Sequence, residues 1–149
     1  GVLTAMLCDF RIAADNAQFG APPAKLGLGF GYGGVDGLTK LVGPAYAAEM
    51  LFTGNRYEAE DALRMGMVNR VVPLADLEQT VVDIAATIAA NAPLTLKSVK
   101  TSIRNTQRDE SARDMADVQA QIDACFASDD YKEGQKAFME KRKPAFKGR

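Results

Sequence analysis

Seven of the thirteen glycines fall between residues 20 and 37, centred on Leu26-Gly27-Leu28-Gly29-Phe30-Gly31-Tyr32-Gly33-Gly34. Glycine weakens helices and strands, and it lets the backbone approach a ligand or another backbone closely. This stretch is too apolar for a solvated linker. It reads as a loop packed against something.

The elements on either side differ. Before the glycines, residues 1 to 8 form an apolar, helix-compatible run expected to be a short buried helix. Phe10 to Ala14 and Gln18-Phe19-Gly20 read as short strands separated by a turn at Asp15-Asn16, the second stopped by Pro22-Pro23. After them the pattern turns helical. Val35 to Val42 ends at Gly43, and Pro44 suits the first turn of a helix over 44–53. Glu58 to Met65 is a further helix, and Val68 to Val72 is a β-branched strand bounded by Gly66 and Pro73. Leu77, Val81, Ile84, Ala85 and Ile88 lie on one stripe of a helix over 75–91. Three more helices are expected, over 93–105, over 111–126 and over 130–142, the last capped by Asp129-Asp130.

Composition narrows the function. With 47% apolar and 25% charged residues, the 149-residue chain falls in the soluble globular range. No apolar run reaches the ~18 to 20 residues of a membrane span, and the net charge of −1 disfavours nucleic acid as a partner. The absence of histidine removes Ser-His-Asp and Cys-His catalysis and His-ligated metal sites, so no metal site is expected. Cys8 and Cys125 sit on apolar runs and read as buried structural thiols. The first residues lack the pattern of a signal peptide. Together these features lead us to expect an intracellular, cytoplasmic location and the C-terminal part of a longer protein.

Two stretches carry candidate chemistry. Gly29 to Gly34 matches the letters G-x-G-x-x-G, but a dinucleotide fingerprint needs a strand before it. Pro22-Pro23-Ala24-Lys25-Leu26-Gly27 is a poor strand, leaving a pocket-lining loop or a structural turn. The second is the basic end, Lys141 to Arg149, which reads either as a solvated helix terminus or as a phosphate clamp.

Five ordered stretches resemble the crotonase, or enoyl-CoA hydratase/isomerase, family. They are Ala5-Met6-Leu7-Cys8-Asp9 with Arg11-Ile12-Ala13-Ala14; Ala17-Gln18-Phe19-Gly20-Ala21-Pro22 with Lys25-Leu26-Gly27-Leu28; Leu41-Val42-Gly43-Pro44 with Ala47-Ala48-Glu49 through Thr53-Gly54; Ala59-Glu60-Asp61-Ala62 with Gly66 through Pro73; and Ser128 through Gly134 with Ala137 through Pro144. The resemblance implies the C-terminal part of an α/β spiral of ββα units over 1–73. Over 74–149 it implies a helical region for trimerisation and CoA contact, in a homotrimer or a dimer of trimers. It implies an acyl-CoA thioester substrate, in the manner of fatty acid metabolism, with no cofactor beyond the coenzyme A that the substrate carries. Two backbone N–H groups would stabilise a thioester enolate. One belongs to a glycine placed just before Gly1, so that Gly1 marks the edge of that turn.

The resemblance also exposes departures. The two glutamates with which family hydratases activate water fall at Leu3 and Pro23, and neither side chain can carry a proton. Two-carboxylate hydration is therefore doubtful, and a lyase, an isomerase, a decarboxylase or a non-catalytic acyl-CoA-binding homologue stay open. Tyr32 reads as a proton donor or a pocket-wall tyrosine, and Asp36 as a catalytic acid or a helix N-terminal residue. Pro23, Leu28, Phe30 and Tyr32 are expected at the acyl pocket. Phe138 and Lys141, three apart and so on one helical face, match the family's adenine-stacking and phosphate-binding positions.

Overall fold

The computed structural model describes all residues, Gly1–Arg149. They form two compact units, Gly1–Val81 and Val82–Arg149.

In the first unit the elements are α1 (Val2–Ala5), β1 (Ile12–Ala14), β2 (Gln18–Gly20), α2 (Pro23–Leu26), α3 (Tyr32–Thr53), β3 (Arg56–Glu58), α4 (Ala59–Arg64) and β4 (Arg70–Val72). Strands β1 and β4 pair in parallel with Ala13 opposite Val71, and β2 and β3 pair antiparallel with Phe19 opposite Tyr57. Leu38, Val42, Ala47 and Met50 form the buried face of α3, and they meet Met65, Met67 and Val68 in the core. Val68 does not enter β4, because its amide and that of Met67 both donate to the Ala62 carbonyl and finish α4. Pairing begins at Asn69, whose amide donates to the Arg11 carbonyl while its Oδ1 accepts the Arg11 amide at 2.8 Å.

The chain breaks within α3 where the sequence predicts it. Gly43 adopts φ 79°, ψ 161°, and Pro44 follows inside the same helical run. This backbone region is essentially closed to residues with a Cβ. The first half starts at Tyr32 rather than Val35, so part of the glycine segment is helical. Two short elements escape the sequence reading, α2 and β3. The polar triplet Arg56-Tyr57-Glu58 has no apolar run to signal a strand, and only Tyr57 is buried. The one-turn helix α2 stands where a dinucleotide fingerprint would need a strand.

The expectation of a buried first helix is corrected. Helix α1 spans only four residues and contains no buried residue. Leu3 is 49% exposed, while Val2 and Met6 pack partly against the core. Cys8, expected to be buried, is exposed, because the helix stops at Ala5 and the following turn carries the thiol outward.

The second unit is helical. Helix α5 (Leu77–Ala89) leads into it, followed by α6 (Pro93–Thr106), α7 (Met115–Ala127) and α8 (Asp129–Met139). Buried Asn105 closes the α6–α7 turn: its Nδ2 donates to the Thr101 carbonyl at 3.0 Å and its Oδ1 accepts the Asp114 amide at 2.8 Å. Ser128, rather than the expected aspartates, caps α8, accepting the Tyr131 amide at 3.0 Å. Asp130 is instead buried and takes the Lys147 and Gly148 amides, both at 2.7 Å, which folds the final residues back onto the start of α8. No helix is long and apolar enough to cross a membrane.

A Cβ at Gly43 would meet no atom within 4 Å, so Gly43→Ala isolates the backbone cost. It should lower unfolding free energy by about 1–3 kcal/mol. Urea unfolding of the full-length protein measures this, and an unchanged midpoint would refute it.

Candidate functional site

Gly1 is the N-cap of α1, and its carbonyl accepts the Ala5 amide at 3.0 Å. Beside it lies a cavity of about 220 Å³, walled by Val2, Leu3 and Met6 from α1, by Gly20, Ala21 and Pro22 after β2, and by Phe30 and Leu38. None of these side chains is ionisable. At this cavity the chain can exclude water and offer backbone groups, but it cannot move a proton through a side chain.

Phe30 holds its place through Gly34. A Cβ on Gly34 would lie 2.8 Å from Phe30 Cε1, 3.2 Å from Cζ and 3.3 Å from Leu3 Cδ2. The Phe30 ring thus lies directly against the first turn of α3, with Leu3 beside it. The Phe30–Gly34 approach is local, four residues apart, whereas the sequence could not signal the part of Leu3, which lies 27 and 31 positions from the other two.

The other residues singled out by sequence are distributed differently. Pro23 is buried at the first position of α2, next to the cavity wall but not lining it. Leu28 is 62% and Tyr32 83% exposed, and neither reaches the cavity. Tyr32 is the first residue of α3. Asp36 lies one turn further on and pairs with Lys40 at 2.8 Å, an i,i+4 ion pair on the helix surface.

In the second unit, Phe138 is exposed on α8 and lines a separate apolar cavity of about 530 Å³ with Phe126, Tyr131 and Phe146. Phe126 and Tyr131 meet edge to face, their ring centroids 5.3 Å apart. Lys141 does not share a helical face with Phe138, because α8 ends at Met139. Lys141 is left-handed, with φ 53°. Its amide donates to the Phe138 carbonyl at 3.2 Å and the Arg142 amide to the Ala137 carbonyl at 3.0 Å, the double closure of a Schellman turn.

Arg142 is not part of a free basic cluster. Its Nη1 and Nη2 donate to Glu133 Oε1 and Oε2 at 2.6 and 2.9 Å, and its Nε to Glu140 Oε2 at 2.7 Å. Glu133 also accepts the Ala145 amide at 2.9 Å. Those hydrogen bonds, first from Arg142 and then from Ala145, hold the Glu133 carboxyl down at about 2, and the two carboxylates raise Arg142 further.

A carboxylate whose acidity is strengthened by folding stabilises the fold above its unfolded value, here 4.5, and loses that contribution as pH falls toward about 2. The melting temperature of the full-length protein should therefore drop further between about pH 5 and pH 2.5 than that of Glu133→Gln. Equal drops would remove Glu133 as a source of acid sensitivity.

The enoyl-CoA hydratase/isomerase family model matches residues 1–149. The short-chain-enoyl-CoA hydratase of Clostridium acetobutylicum is 39% identical over 150 residues, covering 100% of this chain and 58% of that protein. The crotonyl-CoA hydratase of Syntrophomonas wolfei is 40% identical over 146 residues, covering 98% of this chain and 56% of the relative. An enoyl-CoA hydratase structure from Bacillus anthracis superposes with a TM-score of 0.88 at 36% identity, over 97% of this chain and 56% of that one. The chain thus spans rather more than half the length of the relatives it matches.

Proposed function

The chain belongs to the enoyl-CoA hydratase/isomerase family, and from that premise we propose that it forms the C-terminal part of an acyl-CoA-processing enzyme. In this reading residues 1–73 complete the crotonase spiral. Residues 74–149 supply helices for a homotrimer or a dimer of trimers, working in the cytoplasm. The supporting observation is the apolar cavity beside Gly1. It suits the acyl part of a thioester whose oxygen is held by backbone N–H groups at the edge of the α1 turn. Charge developing on that oxygen would be stabilised electrostatically, without a side-chain acid.

The proton must then come from elsewhere. Water or a residue outside this chain would supply it, since Leu3 and Pro23 occupy the positions where the resemblance places glutamates, Tyr32 stays outside the cavity and Asp36 is paired with Lys40. That departure favours a second reading, decarboxylation of a malonyl-type thioester. There the C–C bond to the carboxylate breaks, carbon dioxide leaves, and the bonding electrons form the enolate that the backbone donors hold. A proton from water then completes the product, so no carboxylate base is needed. In the second unit, Phe138 would stack on the adenine and Lys141 would pair with a phosphate of a CoA, as the resemblance implies.

Crotonyl-CoA hydration, followed as loss of enoyl absorbance in the full-length protein, separates these readings. The expected result is CoA-thioester binding with hydration far below an ordinary turnover of about 10 s⁻¹. Turnover at that rate would refute the claim that losing both carboxylates disables hydration. Binding without turnover of enoyl-, malonyl- or hydroxyacyl-CoA would favour a non-catalytic binding protein. Lys141→Ala should weaken CoA binding about two- to fivefold, the scale of an exposed charge pair. Unchanged affinity would remove Lys141 from the phosphate contact.

A further inference from the structure

The cavity beside Gly1 has one aromatic wall, and the position of that wall is fixed by a missing side chain. In a helix, glycine costs about 1 kcal/mol relative to alanine. Two glycines occupy the first turn of α3, and they differ. A Cβ at Gly33 would meet nothing within 4 Å, whereas at Gly34 it would come within 2.8 Å of the Phe30 ring, closer than real Cβ atoms come. Gly34 is therefore the seat of Phe30. Leu3 closes the third side, its Cδ2 lying 3.3 Å from the same point.

The result is an apolar wall of Phe30 and Leu3 across a cavity that Ala21, Pro22 and Leu38 complete. Its volume, about 220 Å³, is below the ~300–1,000 Å³ of pockets that hold drug-sized ligands. A cavity on that scale suits a short acyl group.

We propose that Phe30, seated on Gly34 and backed by Leu3, limits the acyl group to short chains and is the specificity-determining residue of this cavity. The inference rests on the acyl-CoA reading above, and it adds which substrates fit. Phe30 positions nothing and transfers nothing. It occupies the space that further methylenes would need, and because the ring lies against helix backbone at Gly34 it cannot retreat in that direction.

The test uses the full-length protein and saturated thioesters, so that binding is read without turnover. Dissociation constants for butyryl-, hexanoyl- and decanoyl-CoA are measured by calorimetry for the parent, Phe30→Ala and Phe30→Leu. The parent should bind butyryl-CoA at least about tenfold more tightly than decanoyl-CoA, a margin within reach of an apolar pocket. Phe30→Ala should erase most of that preference by strengthening decanoyl-CoA binding, and Phe30→Leu, which keeps an apolar side chain and guards against loss of folding, should shift it part of the way. Butyryl-CoA binding with an unchanged chain-length ratio in both variants would overturn the role of Phe30 and leave the acyl-CoA reading intact. Failure of the parent to bind any of the three would overturn both.

Discussion

The fold of the first unit depends on how α3 delivers its apolar face. Leu38 and Val42 precede the break at Gly43, and Ala47 and Met50 follow it, yet all four are buried in one core. A straight helix of 22 residues extends about 33 Å and keeps a single axis. The break lets two shorter segments each present their own stripe to that core. Full burial of a Leu or Met side chain contributes roughly 1.5–3 kcal/mol, so the two halves together outweigh the cost of an interrupted hydrogen-bond ladder. The same arrangement fixes the cavity, because Leu38, fully buried in the first half, is also part of its wall.

Near the start of α3, packing and chemistry meet. The resemblance assigns Leu3 to a position where hydratases of the family carry a proton-transferring carboxylate, and here that side chain packs beside Phe30 instead. A carboxylate there would lie beside an aromatic ring, and only water or a hydrogen-bond donor would keep it charged. No side chain on this cavity wall could supply such a bond. Leucine at position 3 and phenylalanine at position 30 are thus mutually consistent, and reintroducing an acid at position 3 alone would place it without a donor.

Local signals carried most of the fold. The break at Gly43-Pro44, the pair of strands flanking Asp15-Asn16 and the four helices after Pro73 were legible because each rests on glycine, proline or a 3.6-residue stripe. Elements shorter than a period were not: α2 offers one turn, and β3 only a single buried tyrosine. Burial was legible less well than period. The apolar run at α1 reads as a core helix, yet Leu3 and Leu7 stay largely exposed, since hydropathy records what a side chain prefers and not what stands opposite it. The cavity wall was partly legible, through Phe30 and the nearby Gly34, while Leu3 joins it by a long-range contact with no sequence signature.

The basic end shows why counting charges misleads. Five cations close the sequence, but Arg142 is committed to two carboxylates, and the tail's amides are committed to Asp130 and Glu133. These bonds order the segment that follows α8 and leave Lys141 at the turn itself. A left-handed residue with a Cβ costs about 1–2 kcal/mol, and glycine would close the same turn without that cost. Helix termination therefore does not explain a lysine at position 141. A phosphate contact there would depend on the turn as much as on the charge, and Glu133, by anchoring Arg142, holds the turn in place.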